Sequence, residues 1–159
     1  MKITYQPIGI LRSPFTQLEQ MPIQPSGDSS SPGFARIYPE YLAGLQDLDG
    51  FSHLILLYHF HQVTSVKMLV TPYLDSEPHG VFATRAPVRP NSIGISVVRL
   101  IGLEQDKLQF ADLDVLDKTP LLDIKPYIPD FDTPEDSRIG WLEQDSKDVK
   151  TIKSDDRFA

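Results

Sequence analysis

The chain has 159 residues, of which 40% are hydrophobic and 23% charged, as expected for one globular domain with a real core. Its net charge of −7 excludes a general coat of positive charge for nucleic acid, so such a partner would need a local basic patch. The lack of cysteine excludes a disulfide framework and a thiolate metal site, and 14 prolines favour a loop-rich, β-weighted fold.

The N-terminal residues contain no apolar segment of the kind that a signal peptide has. The longest apolar run, around Leu54–Phe60, is far too short to span a bilayer. We therefore expect a cytoplasmic protein with no membrane partner.

The first third of the chain predicts short elements around a long loop. Alternating apolar residues from Ile3 to Ile10 suggest a strand that Pro7 interrupts. Residues 17–33 are rich in Gln, Ser, Gly and Pro, and are either a solvated loop or a binding element. Phe34–Tyr38 predicts a short strand, and residues 39–48 predict a short helix with Pro39 in its first turn.

The continuous apolar run from Phe51 to His61 predicts a strand that is buried on both faces. His59 and His61 would then point to the same side. A metal site is not predicted, because no third ligand lies at a recognisable spacing. His61, at the end of the strand and next to Gln62, is the better candidate for contact with a ligand.

The stretch from Gly80 to Ser96 predicts a strand, a proline-rich loop and a second strand. Pro87 and Pro90 forbid a helix here, so Arg85 and Arg89 project from a stiff, extended loop. Guanidinium groups held in this way suit a carboxylate or phosphate, although pairing with this chain's own carboxylates is the alternative.

One further strand is predicted downstream. Gly102–Lys107 is the connection of a hairpin, and Leu108–Leu116 is a strand whose apolar phase shifts after Phe110, which a bulge would explain. Asp117 and Asp123 then bracket a proline-containing turn. The tail is acidic and loop-like, and Ile139, Trp141 and Leu142 are candidates to anchor it.

Three blocks resemble one family: residues 8–14, residues 80–96 and residues 116–127, with Phe51-Ser-His53 and Phe60-His-Gln62 in agreement. They are similar to the TsaA-like β-barrel S-adenosylmethionine-dependent methyltransferases, whose characterised members methylate threonylcarbamoyladenosine in tRNA. Lys118 stands where the family usually has Gly, and Ser92 where it often has Pro.

The resemblance implies a mainly β fold: a small closed β-barrel with short helices and long proline-rich loops. It implies one TsaA-like domain over residues 1–159, with the barrel core at about 3–127 and an extended C-terminal tail at 128–159. It also implies a homodimer that binds S-adenosylmethionine, and no metal is expected from the residues. The cofactor contacts carried over by position are Gln24, Pro25, Ser26, His61, Gln62, Arg85, Ile95, Leu116, Asp117, Lys118 and Thr119.

The resemblance implies threonylcarbamoyladenosine next to the tRNA anticodon as the substrate. An unpaired base of this kind is also what a barrel of this size could reach, since it cannot reach a base within a helix. Arg89 is a candidate partner for the carboxylate of that nucleoside. Asn91, Asp123 and Tyr127 are candidates to accept or relay the proton of its amine. Two alternatives stay open. One is a methyltransferase for a small metabolite, which the acidic charge and the expected absence of the additional C-terminal domain of longer members favour. The other is a non-catalytic dimeric module that binds S-adenosylmethionine.

Overall fold

A computed structural model of the chain describes residues 1–17, 32–72 and 75–143. Its eight strands are β1 (Gly9–Arg12), β2 (Gly33–Ile37), β3 (His53–His59), β4 (Leu69–Val70), β5 (His79–Gly80), β6 (Ile93–Glu104), β7 (Lys107–Ala111) and β8 (Thr119–Pro126). One α-helical turn, α1, covers Pro129–Asp132. Short 3₁₀ helices cover Pro39–Leu45, Leu48–Gly50, Val81–Ala83 and Gly140–Glu143.

Six strands close into a barrel in the order β1-β2-β7-β6-β3-β8, and every neighbouring pair is antiparallel. Pairing of β1 with β8 closes the barrel, and it joins residues that are far apart in the sequence, such as Leu11 and Thr119. The mainly β, closed-barrel fold is therefore confirmed.

The barrel has two ends, which differ in the loops that they carry. At the upper end β3 finishes at His59, β6 begins at Ile93 and β8 begins at Thr119. At the lower end β8 finishes and the hairpin between β6 and β7 turns. The upper end therefore collects the segment after β3, the arginine loop (residues 81–92) and the turn before β8.

Alternation of inward and outward residues builds the core. Along β3, Leu54, Leu56 and Tyr58 are buried, whereas Ile55 and Leu57 are only partly buried. Burial of both faces of this strand was therefore a wrong prediction for the single chain. The run is continuously apolar because its outward face carries aliphatic residues too.

Three local predictions need correction. Residues 1–7 are exposed and form no strand, so β1 starts only at Gly9, after Pro7. The strand predicted to reach Leu116 ends at Ala111, and Asp112 follows with a left-handed φ of 64°. The register shift next to this strand lies in β6, between Leu100 and Gly102.

Two strands and a small apolar cluster stand apart from the barrel. β4 and β5 pair with each other in a separate two-stranded sheet. Val70, Val81, Ala86 and Val88 pack together as a second core with partly buried Val63. This cluster gives the arginine loop an apolar base of its own.

Candidate functional site

The arginine loop is folded around the side chain of Arg89. Arg89 Nη1 donates hydrogen bonds to the carbonyl oxygens of Val81 (3.1 Å), Thr84 (2.9 Å) and Ala86 (3.4 Å). The guanidinium also lies 5.8 Å from the centre of the exposed Phe82 ring. One nitrogen of Arg89 is thus committed to the loop, and only its other nitrogens are left for the substrate carboxylate predicted to meet it.

Arg85 has a different environment from Arg89. Its side chain is exposed, and no hydrogen bond or ion pair joins it to another residue in the described ranges. Its positive charge lies near Asp114 and Tyr58, where it favours the ionised form of each group. Arg85 is therefore a guanidinium at the upper end of the barrel that is available to an anion.

Below Arg85, the buried hydroxyl groups of Tyr58 and Ser96 and the partly buried carboxyl group of Asp114 form a chain of hydrogen bonds. Ser96 Oγ donates to Asp114 Oδ1 at 2.6 Å. Since a hydroxyl has one hydrogen, Tyr58 OH must donate the 3.0 Å bond to Ser96 Oγ. Gly94 leaves room for the Tyr58 ring, because a Cβ at that position would overlap it.

Burial shifts the pKa of two groups in this hydrogen-bonded chain, Asp114 and Tyr58. Burial raises the pKa of Asp114 to about 6, although the bond from Ser96 and the charge of Arg85 oppose the rise. Burial, with the nearby Asp114 charge, also raises the pKa of Tyr58. A carboxyl group with a perturbed pKa beside a free guanidinium marks this end of the barrel as a functional candidate.

His61 and Thr119 meet at the same end. Thr119 Oγ1 donates to the Leu116 carbonyl oxygen at 2.8 Å, and His61 Nδ1 lies 3.4 Å from Thr119 Oγ1. Because the only hydroxyl hydrogen is already used, the ring N–H is the donor, and Nε2 keeps its lone pair. Partial burial and the neighbouring His59 lower the pKa of His61, which favours this neutral form.

The turn before β8 is fixed by Asp117. Arg12 Nε donates to Asp117 Oδ1 at 2.7 Å, and the Ser13 backbone N–H donates to the same oxygen at 3.3 Å. Partial burial works against the charged form, but these contacts outweigh it and hold the pKa of Asp117 below its usual value. Lys118 follows with a left-handed φ of 66°, a conformation that explains why glycine suits this position.

The structure does not bring all the predicted residues together. Asp123 pairs with Leu57 in the middle of the sheet, forms an ion pair with Lys125 at 2.8 Å and borders a cavity of about 350 Å³ at the lower end. Tyr127 lies at the lower end, where its backbone N–H donates to the His53 carbonyl and its hydroxyl bonds to Thr133. Within one chain Tyr127 therefore lies at the opposite end from His61 and Arg85, and Asp123 lies between the two ends.

The remaining predicted residues divide by position. Asn91 is exposed in the arginine loop, and Gln62 is exposed beside His61. Ile95 is 44% exposed on the outward face of β6, so a ligand that contacts it lies outside the barrel wall. Gln24, Pro25 and Ser26 lie outside the described residues. In the described part of the chain, no group of three or more His, Asp or Glu residues could hold a metal ion.

The buried chain of Tyr58, Ser96 and Asp114 was missed in the sequence. A signal was present: Ser96 alternates with Ile95 and Val97, so it is a polar residue on the face opposite to two aliphatic ones. An inward serine in an apolar barrel needs a partner. The sequence could not say that the partner would be Asp114, because the contact depends on the path of the loop after β7.

The structure is thus a small closed antiparallel β-barrel with an exposed guanidinium, Arg85, at its upper end. Comparison with known proteins identifies the family. Residues 10–133 match the model of the tRNA-methyltransferase O N-terminal domain. The chain therefore belongs to this family, which confirms the resemblance to the TsaA-like proteins. No helix in the described ranges is long and apolar enough to cross a membrane.

Individual relatives support this assignment. A probable S-adenosyl-L-methionine-binding protein of Pyrococcus abyssi is 51% identical, over 99% of this chain and 86% of its own length. The tRNA (adenine(37)-N6)-methyltransferase of Mus musculus is 37% identical over 82% of this chain, but only 32% of that protein is covered. The crystal structure of TrmO from Pseudomonas aeruginosa superposes with a TM-score of 0.75 at 40% identity, covering 89% of this chain and 63% of that one.

Proposed function

We propose that the protein is an S-adenosylmethionine-dependent methyltransferase whose cofactor binds at the upper end of the barrel. The observation that carries this proposal is the free Arg85 guanidinium, whose charge lies near Asp114 and Tyr58 at the upper end of the barrel, in a chain of this family. The names of the relatives, which include S-adenosyl-L-methionine-binding proteins and methyltransferases, support the choice of cofactor.

The residues of the upper end suit this cofactor chemically. Arg85 would bind the carboxylate of its methionine part, since guanidinium groups bind carboxylates through paired hydrogen bonds. His61 Nε2 offers an acceptor to an amino or hydroxyl hydrogen, and the turn from Leu116 to Thr119 offers backbone groups. The bound cofactor supplies an electrophilic methyl group, so the protein's main task is to position it in line with an acceptor nitrogen.

The proposed methyl acceptor is the N6 nitrogen of threonylcarbamoyladenosine next to a tRNA anticodon. The mouse and human relatives, named as methyltransferases of tRNA adenine 37, support this substrate. The unoccupied nitrogens of Arg89 would meet the threonyl carboxylate, and Asn91, Asp123 and Tyr127 would accept or relay the amine proton. We propose a cytoplasmic location, as for an enzyme of mature tRNA.

A homodimer would assemble these residues into one site. The outward face of the sheet carries Ile93, Ile95 and Val97, which are 38%, 44% and 38% exposed, beside partly buried Ile55 and Leu57. An apolar sheet face of this kind is typical of a subunit interface. If two copies pack by it about a twofold axis perpendicular to the strands, the lower end of one copy lies beside the upper end of its partner. Asp123 and Tyr127 of one chain would then lie near the cofactor site that contains Arg85 of the other chain.

Replacing Arg85 by alanine tests the cofactor site. Loss of a charge-assisted contact of about 1.5–3 kcal/mol is expected to weaken binding of S-adenosylmethionine about 10- to 150-fold. Isothermal titration calorimetry measures the effect. Arg36→Ala is the matched control, because Arg36 is an exposed arginine paired with Asp106 at the lower end. Equal affinities of wild type and Arg85→Ala would refute the assignment.

Replacing Val97 by glutamate tests the dimer. A charge in the middle of the apolar face is expected to convert the protein from dimer to monomer, because its burial would go uncompensated. Sedimentation equilibrium reports the mass, and Ile3→Glu, at an exposed position off this face, should leave the dimer intact. A wild type that is already monomeric at micromolar concentration would rule the dimer out.

The acceptor is tested with the purified protein, cofactor carrying an isotopically labelled methyl group, and two tRNA pools. One pool contains threonylcarbamoyladenosine and the other lacks it. We expect label in nucleosides of the first pool only, as read by mass spectrometry. Label that appears only in a metabolite extract would favour the small-metabolite alternative, which the net charge of −7 supports. Cofactor binding without any transfer would favour a non-catalytic module.

A further inference from the structure

Trp141 joins the C-terminal part of the described chain to the arginine loop. Its indole Nε1–H donates a 2.8 Å hydrogen bond to the Ala83 carbonyl oxygen. The same indole stacks on His79, with ring centres 4.5 Å apart and planes 16° from parallel. His79 Nε2 lies 2.7 Å from Asp75 Oδ2, and this hydrogen bond lowers the pKa of Asp75. Trp141 is therefore held at both its ring face and its N–H.

These contacts act on the backbone beside Arg85. Ala83 ends the 3₁₀ turn that opens the loop and lies two residues before Arg85. Thr84 continues the turn, since its hydroxyl donates to the Val81 carbonyl and accepts from the Ala86 backbone N–H. Because the Arg85 side chain has no partner in the described ranges, its position depends on this backbone. Arg89 fixes the loop from within, and Trp141 fixes it from outside.

We propose that Trp141 is a positioning residue that holds the Ala83 peptide so that Arg85 is presented to the anionic part of the ligand. The proposal rests on the proposed function in one respect, namely that the ligand of Arg85 is the cofactor carboxylate. Trp141 itself does not touch the ligand. Its effect on affinity passes through Arg85 and disappears when Arg85 is absent.

A double-mutant cycle tests that dependence, with S-adenosylhomocysteine as the probe in calorimetry. Trp141→Phe keeps the stacking and removes the hydrogen-bond donor, so a loss of about 5-fold in affinity is expected. Trp141→Ala removes both contacts, and about a 20-fold loss is expected. In the Arg85→Ala background, Trp141→Ala should cost less than about twofold. An equal loss in both backgrounds, or no loss in the wild-type background, overturns the proposal.

Phe131→Ala is the control in the same C-terminal region, because Phe131 is 79% exposed. It should change neither the affinity nor the thermal midpoint. Thermal unfolding of Trp141→Phe separates a local effect from a general loss of fold. A fall in affinity that is matched by a comparable fall with Phe131→Ala would contradict a specific role for Trp141.

Hydrogen exchange provides a readout that needs no ligand. The Thr84 and Ala86 amides are bonded within the loop, at 3.2 Å each, to Val81 O and Thr84 Oγ1. We expect their exchange to be at least about threefold faster in Trp141→Phe and unchanged in Phe131→Ala. Unchanged exchange refutes the positioning role, whatever the cofactor does. Absence of S-adenosylhomocysteine binding in the wild type refutes the proposed function and leaves the exchange result to decide on Trp141.

Discussion

Asp114→Asn is expected to make the protein more stable than wild type at pH 7, by up to about 3 kcal/mol, and about equally stable at pH 4. The buried carboxyl has a pKa of about 6 in the folded protein against 3.8 as its ordinary value. Between these values the folded state binds more protons than the unfolded state, so wild-type stability falls as pH rises from about 4 to 6. Asparagine cannot ionise and escapes this loss, while its carbonyl oxygen can still accept from Ser96.

Urea unfolding of both proteins at pH 4, 5, 6 and 7 measures the difference in free energy, and comparison of the two curves cancels other titrating groups. Asp136→Asn, at an exposed position in the tail, is the control and should change the free energy of unfolding by less than about 0.5 kcal/mol. Asp114 as a whole residue is only partly buried, so water near the carboxyl would reduce the effect. A difference that shrinks as pH rises would show that the carboxylate is stabilised by its neighbours instead.

The largest loss of stability is expected for Phe110→Ala. Phe110 is fully buried inside the barrel on β7, and its truncation should cost about 3–5 kcal/mol because a cavity replaces the ring. Phe131→Ala is the matched control, since Phe131 is 79% exposed and its truncation should stay within about 0.5 kcal/mol. Chemical denaturation at pH 7 checks both. A loss below about 1 kcal/mol for Phe110→Ala would mean that the barrel interior collapses around the gap.

Several elements could be predicted because their signal is local. The alternation in Phe34–Tyr38 and the hairpin around Gly102–Lys107 correspond to β2 and to the turn between β6 and β7. Barrel closure is different, because it depends on the pairing of β1 with β8. No local pattern specifies a pairing over that separation, and only the family resemblance suggested it. The phase shift after Phe110 predicts a bulge, but β7 ends at Ala111.

The site shows the same limit. The stiff arginine loop was predictable from Pro87 and Pro90. It was not predictable that Arg89 would bind the loop's own backbone while Arg85 stays exposed. Arg89 binds backbone carbonyl oxygens, which every residue has, so its partners leave no trace in the sequence. Asp123 and Tyr127 belong to a recognisable block, yet the strand that carries them leads away from His61. Sequence proximity within a block therefore does not make a single site.

Arg89 orders the arginine loop by binding its backbone carbonyl oxygens, as a calcium ion does in other binding loops. One cationic centre gathers several carbonyl oxygens that would otherwise point to solvent, and it does so without an exchangeable ion. A guanidinium stays charged at every physiological pH and cannot be removed by a chelator. The shape of the loop is thus held by one of the chain's own side chains and does not depend on a bound metal ion. Arg85, in the same loop, can then bind a ligand while the backbone that carries it keeps its shape.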